Sequence, residues 1–135
     1  MKYMLDTNIC IALIRQKSAA LIQHLTVHEP GEVGISSITL AELAYGVEKS
    51  AFREKNQAAL QQFLLPMGQA EFDDHAAIAY GKIRADLERA GQSIGSMDLL
   101  IGAHALSMSV VLVTNNSKEF QRINGLKVED WLSKS

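Results

Sequence analysis

A single cysteine in 135 residues, Cys10, rules out an internal disulfide, and its apolar neighbours mark it as a buried thiol suited to a reducing cytoplasm. No apolar run approaches the roughly 18 residues of a membrane span, and the first residues lack the basic region, apolar core and small-residue cleavage site of a signal peptide. The protein is therefore expected to stay in the cytoplasm, away from membranes. Positive charge is not in excess either. Thirteen lysines and arginines against 15 acids leave a formal net charge of −2, which excludes holding a polyanion by bulk attraction and leaves only a local basic patch. The histidines, His24, His28, His75 and His104, form no ligand cluster, and with a lone cysteine this speaks against zinc.

What the chain does hold is the material for an ordinary core. With 47% hydrophobic and 21% charged residues it has the balance of a soluble globular protein, and its 135 residues make one domain, 1–135. Tyr3-Met4-Leu5 reads as a buried strand followed by a helix through Ile9 to Ile14, and Leu21, Ile22 and Leu25 lie on a second helix stopped by Pro30-Gly31. Val33-Gly34-Ile35 is a brief strand, and Ser36 or Ser37 caps a helix carrying Ile38 to Val47. A helix from Phe52 to Leu65, an edge strand around Gln69 to Phe72, and a regular helix opened by Asp73 and Asp74 and stopped at Gly91 come next. Ser96 is the expected cap of a helix with Asp98 in its first turn. Val110 to Val113 is the clearest strand, continuously apolar and β-branched, hence covered on both faces. A short strand near Leu126 to Val128 precedes Trp131, Leu132 and a polar tail. Alternation of this kind without repeats predicts a three-layer α/β/α sandwich around a mostly parallel sheet.

Most of the acids, such as Glu48, Glu54, Asp86, Glu88, Glu129 and Asp130, sit among polar neighbours and read as solvated surface. Asp6, Glu42 and Asp98 differ, because each is set among apolar residues. Asp6 ends the first strand, at the sheet edge where α/β folds bind ligands, although capping the next helix is an equally good reason for Asp6, Thr7 or Asn8 to be there. Buried carboxylates brought together repel unless a proton or cation intervenes, and oxygen-only ligands suit Mg²⁺ or Mn²⁺.

Four stretches carry a family resemblance: Met4-Leu5-Asp6-Thr7-Asn8, Ile35-Ser36-Ser37-Ile38-Thr39-Leu40-Ala41-Glu42-Leu43, Asp98-Leu99-Leu100-Ile101-Gly102-Ala103-His104-Ala105-Leu106, and Val113-Thr114-Asn115-Asn116-Ser117-Lys118-Glu119-Phe120. In this order, over essentially the whole chain, they resemble a PIN-domain ribonuclease of the VapC type, the toxin of a bacterial toxin–antitoxin pair. The resemblance implies a PIN-like fold and a Mg²⁺-dependent endoribonuclease, with Mn²⁺ as an alternative ion, whose first, second and third acids fall on Asp6, Glu42 and Asp98. The fourth position, often an aspartate, falls on Asn116, with Glu119 nearby; this removes one formal charge and puts a second metal in doubt. Thr7, Asn8 and Thr114 are candidates for holding the ligands or a phosphate oxygen.

The resemblance further implies RNA as substrate, tRNA among the targets, a homodimer, and a cognate VapB-type antitoxin that blocks the active-site groove and links the toxin to promoter DNA only indirectly. Arg15, Lys17, Lys49, Arg53, Lys82, Arg84, Lys118 and Arg122 are the cations that could ring the acids. With 6% aromatics, few stacking platforms exist, so RNA shape should count for more than splayed bases. Leu40, Leu43 and Val47 would suit an interface or the protein's own core. Two other readings remain open: an aspartate-nucleophile phosphotransfer domain built on Asp6, and a non-catalytic binding module.

Overall fold

Met4 and Leu5 are neighbours in sequence that face opposite sides of one sheet, and this alternation divides the whole interior. The computed structural model describes residues 1–132; the polar tail expected beyond Leu132 lies outside them. Leu5 joins Val33, Ile35 and Val113 in a core closed by the first four helices, while Met4 joins Leu112 in a second core closed by the later ones. The strands are β1 (Tyr3–Leu5), β2 (Val33–Ser36), β3 (Gly68–Ala70), β4 (Val111–Val113) and β5 (Val128–Glu129). The helices are α1 (Thr7–Ile14), α2 (Ala19–Thr26), α3 (Ser37–Glu48), α4 (Arg53–Leu64), α5 (Asp74–Arg89), α6 (Ser96–Met108) and α7 (Ser117–Phe120). Two helical layers thus cover a central sheet, as expected of an α/β/α sandwich.

All five strands are parallel, a stricter result than the mostly parallel sheet expected, and their order is β3-β2-β1-β4-β5. The chain winds from β1 outward through β2 to the edge strand β3, then returns across the sheet to lay β4 on the other side of β1. The junction between β1 and β4 is therefore a topological switch point, and the loops leaving these strands diverge to leave a crevice. Asp6 follows β1 there, and Thr114 to Asn116 follow β4.

Local chemistry explains most boundaries. Ser36 takes the cap of α3, its Oγ accepting from Ile38 N at 3.0 Å, which decides between the two serines. Asp73 caps α5 through Ala76 N at 3.0 Å, and beyond its end Gly91 adopts φ 67°, a conformation that glycine reaches without strain. Ser96, expected as a cap, is instead the first residue of α6: Gly95 occupies the cap position and no side chain bonds to the helix end. The one-turn helix α7 was not expected, because four residues carry no periodicity. Leu43 and Val47 are buried in the first core with Leu40 packed against them, so internal packing accounts for this stripe. Cys10 is buried, and burial pushes its thiol well above the usual range. No described helix is long and apolar enough to cross a membrane.

Candidate active site

Asp6 serves two purposes at once. Its Oδ1 accepts from Ile9 N at 2.9 Å and caps α1, as the purely structural reading requires, while the carboxyl also meets the Thr114 hydroxyl across the β1–β4 junction. The residue is only 4% exposed. Burial pushes its pKa up; the Thr114 and backbone bonds pull against this, and the nearby Glu42 charge adds to the rise.

Glu42 arrives from the second turn of α3. Its Oε1 accepts from the Thr7 hydroxyl at 2.5 Å, so the residue directly after Asp6 turns the Glu42 carboxylate toward it. Asp98 arrives from the first turn of α6, half-buried, where the helix N-terminus favours its charge. Yet its pKa is raised to about 6, first by burial and then by the charges of Glu119, Asp6 and Glu42. Asp98 therefore lies within electrostatic reach of three other carboxylates.

Glu119 is the fourth of these. Its Oε2 accepts from Asn116 Nδ2 at 2.8 Å and its Oε1 from Gly95 N at 3.1 Å, and it lies close enough to Asp98 to share a hydrogen bond. Asn116 is itself tied back through its backbone N–H to Thr114 Oγ1 at 2.9 Å. Asn116 thus supports a carboxylate three residues further on, a relation created by α7. The Gly95 contact was invisible beforehand, since a backbone N–H leaves no mark in residue identity.

The donor set is chemically that of a hard divalent ion: carboxylate oxygens from separate elements, mutually repelling, with no described ion pair to a lysine, arginine or histidine at any of Asp6, Glu42, Asp98 or Glu119. The set is not drawn in as a closed cage, for among the described residues no three His, Cys, Asp or Glu side chains surround one point. Thr7 and the Asn116–Gly95 clamp hold Glu42 and Glu119 from the side. The fit is one of donor chemistry and charge.

Five of the eight candidate cations divide into two groups. Lys82 and Arg84 pair with Asp86 and Glu88 at 3.1 Å on the exposed face of α5, and Arg53 pairs with Glu48 at 3.4 Å. Arg15 and Lys49 instead line a groove of about 830 Å³ beside Thr7 and Glu42. His104 is no ligand: it is buried, with Nδ1 2.8 Å from Ser36 Oγ.

With this geometry in hand, comparison with known proteins gives a consistent picture. The PIN domain family model matches residues 3–126. The tRNA(fMet)-specific endonuclease VapC of Shigella flexneri is 44% identical over 131 residues, 97% of this chain and 98% of its own. Ribonuclease VapC2 of Rickettsia felis is 44% identical over 132 residues, covering 97% and 98%. Among solved structures, DNA-bound VapBC from Salmonella typhimurium superimposes with a TM-score of 0.92 at 44% identity, covering 97% of this chain and 98% of that one. VapBC2 from Rickettsia felis, bound to a DNA fragment from its promoter, gives 0.90 at 42%, covering 97% and 99%.

Proposed function

The chain belongs to the PIN-domain family, in its VapC branch, and we propose that it is a Mg²⁺-dependent endoribonuclease, the toxin of a toxin–antitoxin pair, with Asp6, Glu42, Asp98 and Glu119 as its working acids. The observation that carries the reading is the convergence of these acids, from four separate segments, at the β1–β4 switch point.

Asp6 and Asp98 would hold the ion, with Glu42 completing the set. An ion held there would supply Lewis-acid chemistry, activating water and offsetting charge on the phosphate, which Mn²⁺ could also provide. Glu42, steered by Thr7, orients the attacking water. Asn116 and Gly95 fix Glu119 beside Asp98, so the negative charge of the site is held in place rather than swung into solvent. Attack by water leaves a 5′-phosphate and a 3′-hydroxyl. The PIN-domain match over residues 3–126 favours a ligand role for Asp6 over that of the nucleophile of a phosphotransfer domain.

Structured RNA, tRNA in particular, is the proposed substrate, in line with the relative named for tRNA(fMet). A cognate VapB-type antitoxin is the proposed partner, since the two solved relatives described above are DNA-bound VapBC complexes; promoter DNA would be reached through it. The toxin acts as a cytoplasmic homodimer and as a single domain, inhibiting translation until neutralised.

Cleavage of total cellular RNA by antitoxin-free protein, with Mg²⁺ or EDTA and alongside Asp6→Ala, tests the reading. Discrete fragments that disappear with EDTA and with the substitution are expected. Intact RNA after incubation with folded, Mg²⁺-loaded protein would overturn it.

A further inference from the structure

Cleavage at the acids places a phosphodiester against Glu42 and Asp98, so the adjoining nucleotide must rest on whatever flanks them. Tyr45 and Met97 do. Tyr45 follows Glu42 by three residues on α3, one turn along the same side of the helix, and Met97 directly precedes Asp98. Both line the groove that starts at Thr7 and Glu42. α3 commits Thr39, Leu43 and Val47, at spacings of four, to the interior. Tyr45 is rotated off that stripe and stands 65% exposed.

Tyr45 and Phe52 are the exposed aromatic side chains among the described residues, and of the two only Tyr45 lines this groove. Its ring carries the Lys49 ammonium 5.1 Å from the centroid. The groove's other cation is Arg15, and its lining includes no acid except Glu42, in a chain whose net charge is −2. Positive charge concentrated here suits a polyanion, and an aromatic face beside a phosphate seat suits the base attached to it.

We infer that Tyr45 is the stacking platform for one unpaired nucleobase next to the scissile phosphate, with Lys49 and Arg15 meeting the neighbouring phosphates. The inference rests on the endoribonuclease reading and deepens it by naming the side chain that holds the base beside the cut. A paired base cannot offer its face, whereas one splayed from a loop can. Low aromatic content does not prevent this, because one well-placed ring is enough for one base.

The test uses synthetic stem-loop RNAs containing the mapped cleavage site, intact or with a single abasic nucleotide on either side of the cut. Wild type, Tyr45→Phe, Tyr45→Ala and Asp6→Ala are compared, and folding is checked by thermal melting. Tyr45→Ala should lower kcat/KM by about 5- to 150-fold, the equivalent of about 1–3 kcal/mol at 1.4 kcal/mol per factor of ten, with Tyr45→Phe close to wild type. At one flanking position the abasic RNA should cost wild type a similar factor and Tyr45→Ala nothing further. Tyr45→Ala cleaving like wild type, losses that multiply at both positions, or a defect confined to antitoxin binding would overturn the inference and leave Tyr45 as a protein contact. Failure of the nuclease reading itself is distinct: wild type and Asp6→Ala would then be equally inert.

Discussion

His104 Nδ1 lies 2.8 Å from Ser36 Oγ, joining the helix that carries Asp98 to the cap of the helix that carries Glu42. Ser36 Oγ already accepts from Ile38 N, and the ring also bonds the Glu71 backbone. The neutral tautomer that satisfies all of these accepts the Ser36 proton at Nδ1 and donates from Nε2 to the Glu71 carbonyl. Burial holds the His104 pKa below 6.5, so in the window just under 6.5 the unfolded chain binds more protons than the native one. Stability should therefore fall as pH drops through 6.5. His104→Ala should cost about 2–4 kcal/mol at pH 7.5 by opening a void and stranding Ser36 and Glu71, and should flatten this part of the pH dependence. Urea unfolding at pH 7.5 and 5.5 measures both; an unchanged slope would remove His104 as its source.

Asp98 behaves in the opposite sense. Its folded pKa is raised from 3.8 to about 6, so the native state binds the extra proton and metal-free stability declines as pH rises between these values. Asp98→Asn should then raise the Tm of metal-free protein at pH 7.5 by about 2–4 °C, with the gain vanishing near pH 4, while cleavage is lost. Calorimetry in EDTA at both pH values decides; a lower Tm at pH 7.5 would contradict the charge-crowding account.

Thr7 is expected to matter through Glu42. Thr7→Val keeps the shape but removes the 2.5 Å hydrogen bond, leaving the carboxylate free to turn away. A drop in kcat of about 10- to 100-fold with KM for RNA little changed is expected, and Thr7→Ser should restore most of the rate. Single-turnover cleavage separates this from lost RNA binding, which would appear in KM instead.

At position 116, Asn116→Asp would exchange the donor that steadies Glu119 for a like charge. The metal-free protein should lose about 1 kcal/mol or more, and Mg²⁺ or Mn²⁺ should raise its Tm further than it raises that of wild type, since the ion then offsets an additional charge. Melting curves with and without the ion test this; an equal metal-induced shift in both proteins would show that residue 116 lies outside the ion's reach.

Asp6, Glu42 and Asp98 were legible from residue order because an acid in an apolar frame is costly and needs a reason. Most helix ends were legible for similar local causes, as with Ser36 and Asp73 as caps and Gly91 as a stop. Ser96 misled because it has the residue type of a cap, while the backbone placed Gly95 there. Lys82 and Arg84 looked available for RNA until α5 paired them with acids one turn away.

The amino-acid order alone thus determined an α/β chain, its two-faced strands, and three acids in search of a counter-charge, because burial and helix capping act over a few residues at a time. Tertiary structure decided the rest. The strand order that brings β1 beside β4 depends on crossovers that leave no local signal, since parallel partners are chosen by packing across the whole sheet. That pairing sets Asp6 against Thr114, while the Gly95 N–H and the four-residue helix α7 hold Glu119 beside Asp98.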